Sequence, residues 1–172
     1  MAILDVKIYG SQILRQKAET VDDFGSELLE LIQNMTDTVR VQDGVGLAAP
    51  QVDVSKRVIL LNLPKENEDP VIMPMINPEI SDSGGECEFE EGCLSIPEIR
   101  EDVKRPEWVQ LQYQDVNGIK HNIRAVGIMA RVVQHEIDHT NGILFIDRIS
   151  TSRRVLLAGK LKKMSRESKS NQ

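Results

Sequence analysis

The sequence predicts an α+β fold in one domain over residues 1–172. The length suits one ordinary domain, and a content of 40% hydrophobic and 28% charged residues is typical of a globular protein. A candidate strand and a candidate hairpin precede a late helix, whereas a regular alternation of strands and helices would predict a parallel sheet. Because aromatic residues contribute only 3%, we expect a core of Leu, Ile, Val and Met.

The first predicted element is a helix over residues 26–41, with Ser26 as its N-cap. Its apolar side chains recur at helical spacing and form one stripe: Leu28, Leu31, Ile32, Met35 and Val39. The run RVILLNL over residues 57–63 then predicts a buried strand. Residues 64–70, which begin and end with proline, predict an exposed loop.

Residues 108–123 predict a β-hairpin. Val109, Leu111 and Tyr113 alternate with polar residues, so they should share one face of a strand over residues 108–116. The dipeptide Asn117-Gly118 is typical of hairpin turns, and residues 119–123 supply the returning strand.

The last predicted element is a basic amphipathic helix over residues 152–168. Residues 153–172 carry a charge of +6 in a chain whose net charge is −6. Four apolar residues recur at helical spacing and should face the body: Val155, Leu157, Leu161 and Met164. We expect the end of the helix to fray over residues 168–172. A solvated basic face is the simpler interpretation, and contact with RNA or another acidic partner is the alternative.

The composition also predicts a cytoplasmic protein with reduced cysteines. Residues 1–10 lack the basic start and apolar run of a secretory signal, and no stretch approaches the ~18 apolar residues of a membrane span. Cys87 and Cys93 are too few for a disulfide scaffold, so a functional cysteine is expected to be a thiolate ligand or a nucleophile. The net charge argues against a protein whose whole surface binds DNA or RNA.

Residues 127–142 predict the helix that carries the chemistry. His135 and His139 are four residues apart on one helical face, so both imidazoles can bind one metal ion. Glu136 completes an H-E-x-x-H motif, and its rotation of about 100° from His135 lets it act on an activated water without being a ligand. The motif indicates metal-assisted hydrolysis, and two packed histidines that share a face are the simpler alternative.

The motif does not identify the third ligand. A metzincin peptidase would have a third histidine where Phe145 stands, and Glu167 lies in the basic tail, a poor place for the glutamate of a thermolysin-like peptidase. Cys93 offers a thiolate, and Gly92 before it allows the backbone to come close. A free buried cysteine is the alternative for Cys93 and our interpretation of Cys87.

A run of small residues, GVGLAAPQ over residues 44–51, lacks the third glycine of a dinucleotide motif and the Lys-Ser/Thr of a P-loop. We interpret it as a closely packed segment whose backbone pairs with an extended peptide. Its last residue, Gln51, then directs an amide donor at a carbonyl oxygen.

These three segments together resemble the peptide deformylase family. The family motifs G-x-G-x-A-A-x-Q, E-G-C-x-S and H-E-x-D-H correspond, in the same order, to residues 44–51, 91–95 and 135–139. The short spacing of the first two motifs resembles the bacterial type with a C-terminal helix. The resemblance implies mainly antiparallel β-sheets packed around a central H-E-x-x-H helix, with N-terminal and C-terminal helices.

The resemblance also implies a metal and its ligands. It implies Fe²⁺ in the native enzyme, with Zn, Ni or Co able to substitute, held by Cys93, His135 and His139. Glu136 would be the general acid and base. Sensitivity to air, through oxidation of the metal and of Cys93, would follow.

For substrate binding, the resemblance implies that Gln51 and the amide of Leu94 polarise the formyl oxygen and that Gly46 pairs with the substrate backbone. An apolar slot for a methionine side chain is expected from Val45, Ile128 and Val132. Three further assignments stay open: Arg100 binds the substrate chain or is a surface residue, and Asp138 and Glu91 each support a ligand or cap a surface.

The implied activity is removal of the N-formyl group from the N-terminal methionine of newly synthesised proteins, with release of formate. The expected partners are N-formylmethionyl peptides and nascent chains, and the ribosome through the basic helix; no membrane and no DNA are expected. The alternatives are another H-E-x-x-H metallopeptidase or amidase, and a non-catalytic ribosome-binding metalloprotein.

Overall fold

The computed structural model describes residues 2–65 and 68–170. Short 3₁₀ helices occur at Gln12–Arg15, Ala49–Val52 and Phe145–Asp147. The α-helices are α1 (Ser26–Val41), α2 (Gly127–Thr140) and α3 (Thr151–Ser170). The strands are β1 (Gly46–Ala48), β2 (Val58–Lys65), β3 (Glu68–Gly84), β4 (Cys87–Cys93), β5 (Ile96–Arg105), β6 (Trp108–Gln114) and β7 (Lys120–Val126).

Within the described ranges, all pairings between the strands β1 to β7 are antiparallel, as expected, and an isolated bridge between Glu19 and Lys56 is parallel. One sheet has the order β1-β2-β3-β6-β7, so β1 lies at its edge, and β4 pairs with β5 in a separate two-stranded ribbon. The α+β prediction, with antiparallel sheets around the H-E-x-x-H helix and helices at both ends, is confirmed.

Burial on both faces explains why strand β2 is apolar without alternation. Val58 and Leu60 face the cluster that contains α1, whereas Ile59 and Leu61 face the cluster that contains α2. Successive side chains of a strand point to opposite faces, so a strand covered by a helix on each side is apolar throughout. The sheet thereby supplies the buried support for α2.

Two details near these elements differ from prediction. Gly25, not Ser26, is the N-cap of α1, and no side chain caps it. The predicted loop over residues 64–70 is mostly strand, because β2 continues to Lys65 and β3 begins at Glu68; residues 66–67 lie outside the described residues. The register shifts between Leu63 and Lys65, which accommodates Pro64, a residue without an N–H to donate.

The hairpin and the basic helix are confirmed. Strands β6 and β7 pair from Trp108–Val126 to Gln114–Lys120, and β6 ends two residues before its predicted end. Helix α3 buries Leu157 and Leu161 against the body, but Val155 is 68% exposed. The prediction that Val155 faces the body is wrong. Two positions along an α-helix correspond to a rotation of about 200°, so Val155 lies on the side opposite to the buried Leu157.

Helix α3 remains helical to Ser170, so the predicted fraying over residues 168–170 is wrong, and residues 171–172 are outside the described residues. None of the helices in the described ranges is long and apolar enough to cross a membrane.

Candidate active site

The H-E-x-x-H residues lie on helix α2, which is packed in the core. It packs against β1 and β2, with Ala130, Val133 and Ile137 in the shared core. Four residues advance an α-helix by little more than one turn, so His135 and His139 face the same way. Their ring centroids lie 5.0 Å apart.

Cys93 reaches these imidazoles from the end of a hairpin. It is the last residue of β4, and the turn Leu94-Ser95 leads into β5. Its Sγ lies 3.2 Å from Nε2 of His139. One ligand atom from each of Cys93, His135 and His139 lies within 4.8 Å of the other two. The three residues predicted as ligands are therefore close enough to hold one ion.

The donor set fits a divalent transition-metal ion. One thiolate and two imidazoles suit Zn²⁺ and Fe²⁺, and three protein ligands leave a coordination position open for chemistry. Burial, and after it the neighbouring His135, lowers the pKa of His139 well below its usual value. A lowered pKa favours the neutral ring of His139, which is the form that binds a metal.

Glu91 fixes the orientation of His135. Its Oε2 accepts a 2.9 Å hydrogen bond from Nδ1 of His135, which leaves Nε2 of the ring for a metal. Arg105 and Arg131 donate to the same carboxylate. Burial by itself would raise the pKa of Glu91, but hydrogen bonds from Arg105 and His135 outweigh it and hold the pKa well below its usual range. Of the two interpretations of Glu91, the structure favours support of a ligand.

Glu136 packs directly against the backbone of β1. A Cβ at position 46 would lie 2.5 Å from Oε1 of Glu136, so any side chain there would have to displace this carboxylate. Oε2 of Glu136 is buried and has no hydrogen-bond partner among the residues that the structure describes. Burial raises the pKa of Glu136 to about 7. A carboxyl group so placed is able to take up and release a proton near neutral pH.

Gln51 is held so that its amide donor points towards the ligands. Its Oε1 accepts a 2.8 Å hydrogen bond from the N–H of Ala48. Its Nε2 lies 3.2 Å from Oγ of Ser95 and 3.5 Å from Sγ of Cys93. Because the side chain is buried, this orientation is fixed by the protein and not by solvent.

A cavity of about 510 Å³ connects these groups to solvent. His139 is not in its lining, but every other predicted site residue is: Val45, Gly46, Gln51, Cys93, Leu94, Arg100, Ile128, Val132, His135 and Glu136. Val45 and Ile128 are exposed at the opening, whereas Val132 is buried. Arg100 lies at the rim, where its Nε donates a 2.7 Å hydrogen bond to Glu90.

Three arginines that bind buried carboxylates were not predicted from the sequence. Arg105 bridges Glu91 and Asp138, Arg131 binds Glu91, and Arg148 binds Asp138. For Arg105 the sequence signal is hidden, because two of the alternating buried positions in β5 hold charged residues, Glu101 and Arg105. The other two contacts join segments without a shared local pattern.

Comparisons with known proteins agree with this site. The family model for polypeptide deformylase matches residues 3–155. A peptide deformylase of Thermodesulfovibrio yellowstonii is 46% identical over 162 residues, which cover 94% of this chain and 98% of that protein. A crystal structure of a peptide deformylase from Legionella pneumophila is 40% identical, with a TM-score of 0.86 and 96% of each chain covered. A plant peptide deformylase structure is 31% identical, with a TM-score of 0.92, and the match covers 98% of this chain and 92% of that one.

Proposed function

Since the chain belongs to the polypeptide deformylase family, we propose that it uses Cys93, His135 and His139 to hold its metal ion. The chain is a metal-dependent hydrolase that removes the N-formyl group from newly synthesised proteins. The observation that carries the ligand assignment is the approach of the three ligand atoms to within 4.8 Å of one another. The buried carboxylate of Glu136 beside them supports hydrolytic chemistry.

The metal is proposed to be Fe²⁺ in the native enzyme, with Zn, Ni or Co able to replace it. When bound, such an ion supplies Lewis acidity that lowers the pKa of a water molecule. The mixed thiolate and imidazole donor set supports a divalent transition metal, and it suits more than one of the four metals named here. Metal analysis of protein purified without oxygen, together with formate release by the same sample, identifies the ion that supports activity.

Glu136 is proposed to move the protons. Its carboxylate takes a proton from the attacking water and returns it to the amine that leaves. The absence of a side chain at Gly46 lets this carboxylate lie close to the backbone of β1.

Gln51 and the backbone amide of Leu94 are proposed to stabilise the formyl oxygen as negative charge develops on it. For Gln51, support comes from the bond between its Oε1 and Ala48, which leaves the amide donor directed at the site. For Leu94, support comes from its place in the turn that follows Cys93 and in the lining of the cavity.

The substrate chain is proposed to lie along β1, with Gly46 pairing with its backbone. Val45, Ile128 and Val132 would contact the methionine side chain, and Arg100 would contact the chain further along. All of these residues line the same cavity as Cys93 and His135, which supports the assignment.

Substitution of Ile128 by Glu tests the methionine slot. Ile128 is preferable to Val132 as a test position because Val132 also packs in the core. We expect KM for formyl-Met peptides to rise about tenfold, because a charge replaces an apolar wall, while metal content stays unchanged. Ile119→Glu is a matched control, since these two isoleucines are 56% and 57% exposed. Equal KM values in both variants would exclude Ile128 from the slot.

The choice among hydrolases is tested by substrate specificity. Release of formate from formyl-Met-Ala, without action on acetyl-Met-Ala or on internal peptide bonds, is the expected result. Cleavage of acetylated or internal peptides at a comparable rate would instead favour a general amidase or peptidase on the same H-E-x-x-H helix.

We also propose that the enzyme acts in the cytoplasm and that α3 contacts the ribosome. The support is a set of exposed basic residues on α3, which includes Lys160, Lys162 and Lys163. Simple truncation of α3 is a poor test because Leu157 and Leu161 belong to the core.

Replacing Lys160, Lys162 and Lys163 together by Gln leaves that apolar packing in place. We expect the slope of log affinity for ribosomes against log salt concentration to become less steep by about 0.7–0.9 for each phosphate that is no longer bound. Hydrolysis of short formyl peptides should not change. Unchanged ribosome binding in co-sedimentation would contradict this interaction, and loss of short-peptide activity would show that the lysines act on the fold.

A further inference from the structure

A chain of buried ion pairs runs from the surface to the imidazole of His135. Nε and Nη2 of Arg148 donate to the two oxygens of Asp138 at 2.5 and 2.6 Å. Asp138 also accepts a 2.8 Å hydrogen bond from Nη1 of Arg105, and Arg105 binds Glu91 through two nitrogens. Glu91 in turn accepts the hydrogen bond from Nδ1 of His135.

The hydrogen bonds of Glu91 restrict the movement of the side chains in this series of ion pairs. Its Oε1 accepts hydrogen bonds from Arg105 and Arg131, both at 2.6 Å, and its Oε2 accepts from Arg105 and His135, both at 2.9 Å. A carboxylate has about four lone-pair sites, and here four donors use them. Any movement of Arg105 therefore changes a contact that orients His135.

Arg148 has a second connection to the same imidazole. It follows directly after the 3₁₀ helix Phe145–Asp147, and its ion pair fixes this helix against Asp138 of α2. The ring of Phe145 stacks over that of His135, with centroids 6.1 Å apart and an angle of 24° between the planes. Arg148 is thus connected, through its neighbours, both to the Nδ1 contact and to one ring face of His135.

We infer that Arg148 is a positioning residue for His135, acting through Asp138, Arg105 and Glu91 and through the placement of Phe145. The inference rests on the proposed role of His135 as a metal ligand. The side chain of Arg148 is 41% exposed, and an ordinary surface ion pair of that kind contributes little. Its partner Asp138, however, is only 7% exposed.

Removal of Arg148 therefore leaves Oδ1 of Asp138 without a donor among the described residues and Oδ2 with Arg105 alone, which is costly in a protein interior. Arg105 is the remaining donor that the structure gives to this carboxylate among the described residues, so it is drawn towards Asp138. A guanidinium that shifts towards Asp138 weakens its hydrogen bonds to Glu91. The expected result is a less well oriented His135 in a folded protein.

Binding of Co²⁺ tests the inference, because cobalt reports both affinity and ligand geometry by absorption. We compare the parent enzyme with Arg148→Gln, Arg148→Lys and the control Arg153→Gln. Arg153 binds Glu101 at 2.8 Å and joins α3 to β5, but it is not part of the chain that ends at His135. Affinity is measured by competition with a chromophoric chelator, and the unfolding temperature of each metal-free protein is recorded.

Arg148→Gln should weaken Co²⁺ binding about tenfold, the lower end of the effect of changing outer contacts of a metal site, and should change the d–d bands. Arg148→Lys should recover part of the affinity because it keeps the charge but not the two-point contact. Arg153→Gln should match the parent protein. Equal effects of Arg148→Gln and Arg153→Gln, or a lower unfolding temperature with unchanged affinity and spectrum, would overturn the inference. Parent protein that shows no thiolate-to-cobalt absorption would overturn the proposed ligand set and this inference together.

Discussion

Replacing Glu136 by Gln should lower kcat by about 10³-fold, within the range that a general acid and base contributes. The amide has nearly the same volume as the carboxylate, so it still fits against Gly46, but it has no basic oxygen that could take up a proton. Because Glu136 is not a proposed ligand, metal content should remain that of the parent enzyme. Formate release at saturating formyl-Met-Ala, with metal analysis of the same sample, measures both quantities.

Glu98→Gln is the matched control for this prediction. Glu98 lines the same cavity but is exposed, and it is not part of the proposed machinery. Its kcat should equal that of the parent. A Glu136→Gln enzyme with near-parent kcat would remove Glu136 from the mechanism, and one without metal would show that Glu136 supports the ligands instead.

Replacing Cys93 by Ala should abolish metal binding and activity together. Removing an outer contact already reduces metal affinity by about 10–100-fold, and removal of a ligand should cost more than this. Equilibrium dialysis with Zn²⁺ measures the change in affinity. Cys87→Ala is the matched control, because Cys87 is the other free thiol and lies at the opposite end of β4, against Arg131.

Exposure to air provides a second comparison between the roles of Cys93 and Cys87. We expect the iron-loaded parent enzyme to lose activity in air through oxidation of the metal and of Cys93. The Cys87→Ala enzyme should lose activity at the same rate. Protection by Cys87→Ala would place the sensitive thiol at Cys87, and full metal binding by Cys93→Ala would require a different third ligand.

Elements with a strong local pattern were predictable, and the others were not. Helices α1, α2 and α3 and strand β2 carry clear periodicity or apolar runs. Strand β5 has a two-residue alternation of buried positions, but two of those positions hold Glu101 and Arg105. Their charges hide the hydrophobic pattern, since each is buried only because a distant partner neutralises it.

The residues of the site can also be separated into those with a local sequence pattern and those without one. His135, Glu136 and His139 are predictable because their spacing on one helix is a local property. Cys93 approaches them only because the hairpin of β4 and β5 returns to α2, and spacing alone left a free cysteine as an alternative. The resemblance to a family favours a ligand over a free cysteine, and the distance of 3.2 Å between Sγ of Cys93 and Nε2 of His139 supports it. Contacts such as Arg148 with Asp138 have no local signal, because any of the 21 basic residues could supply the charge.

The position of β1 at the sheet edge has a consequence for the range of proteins that the enzyme can serve. A chain that pairs with this edge is recognised through its own amides and carbonyls, which all proteins share. Only the first side chain then has to match a shaped slot. We expect the substrate placement proposed above to tolerate almost any sequence after the initiator methionine.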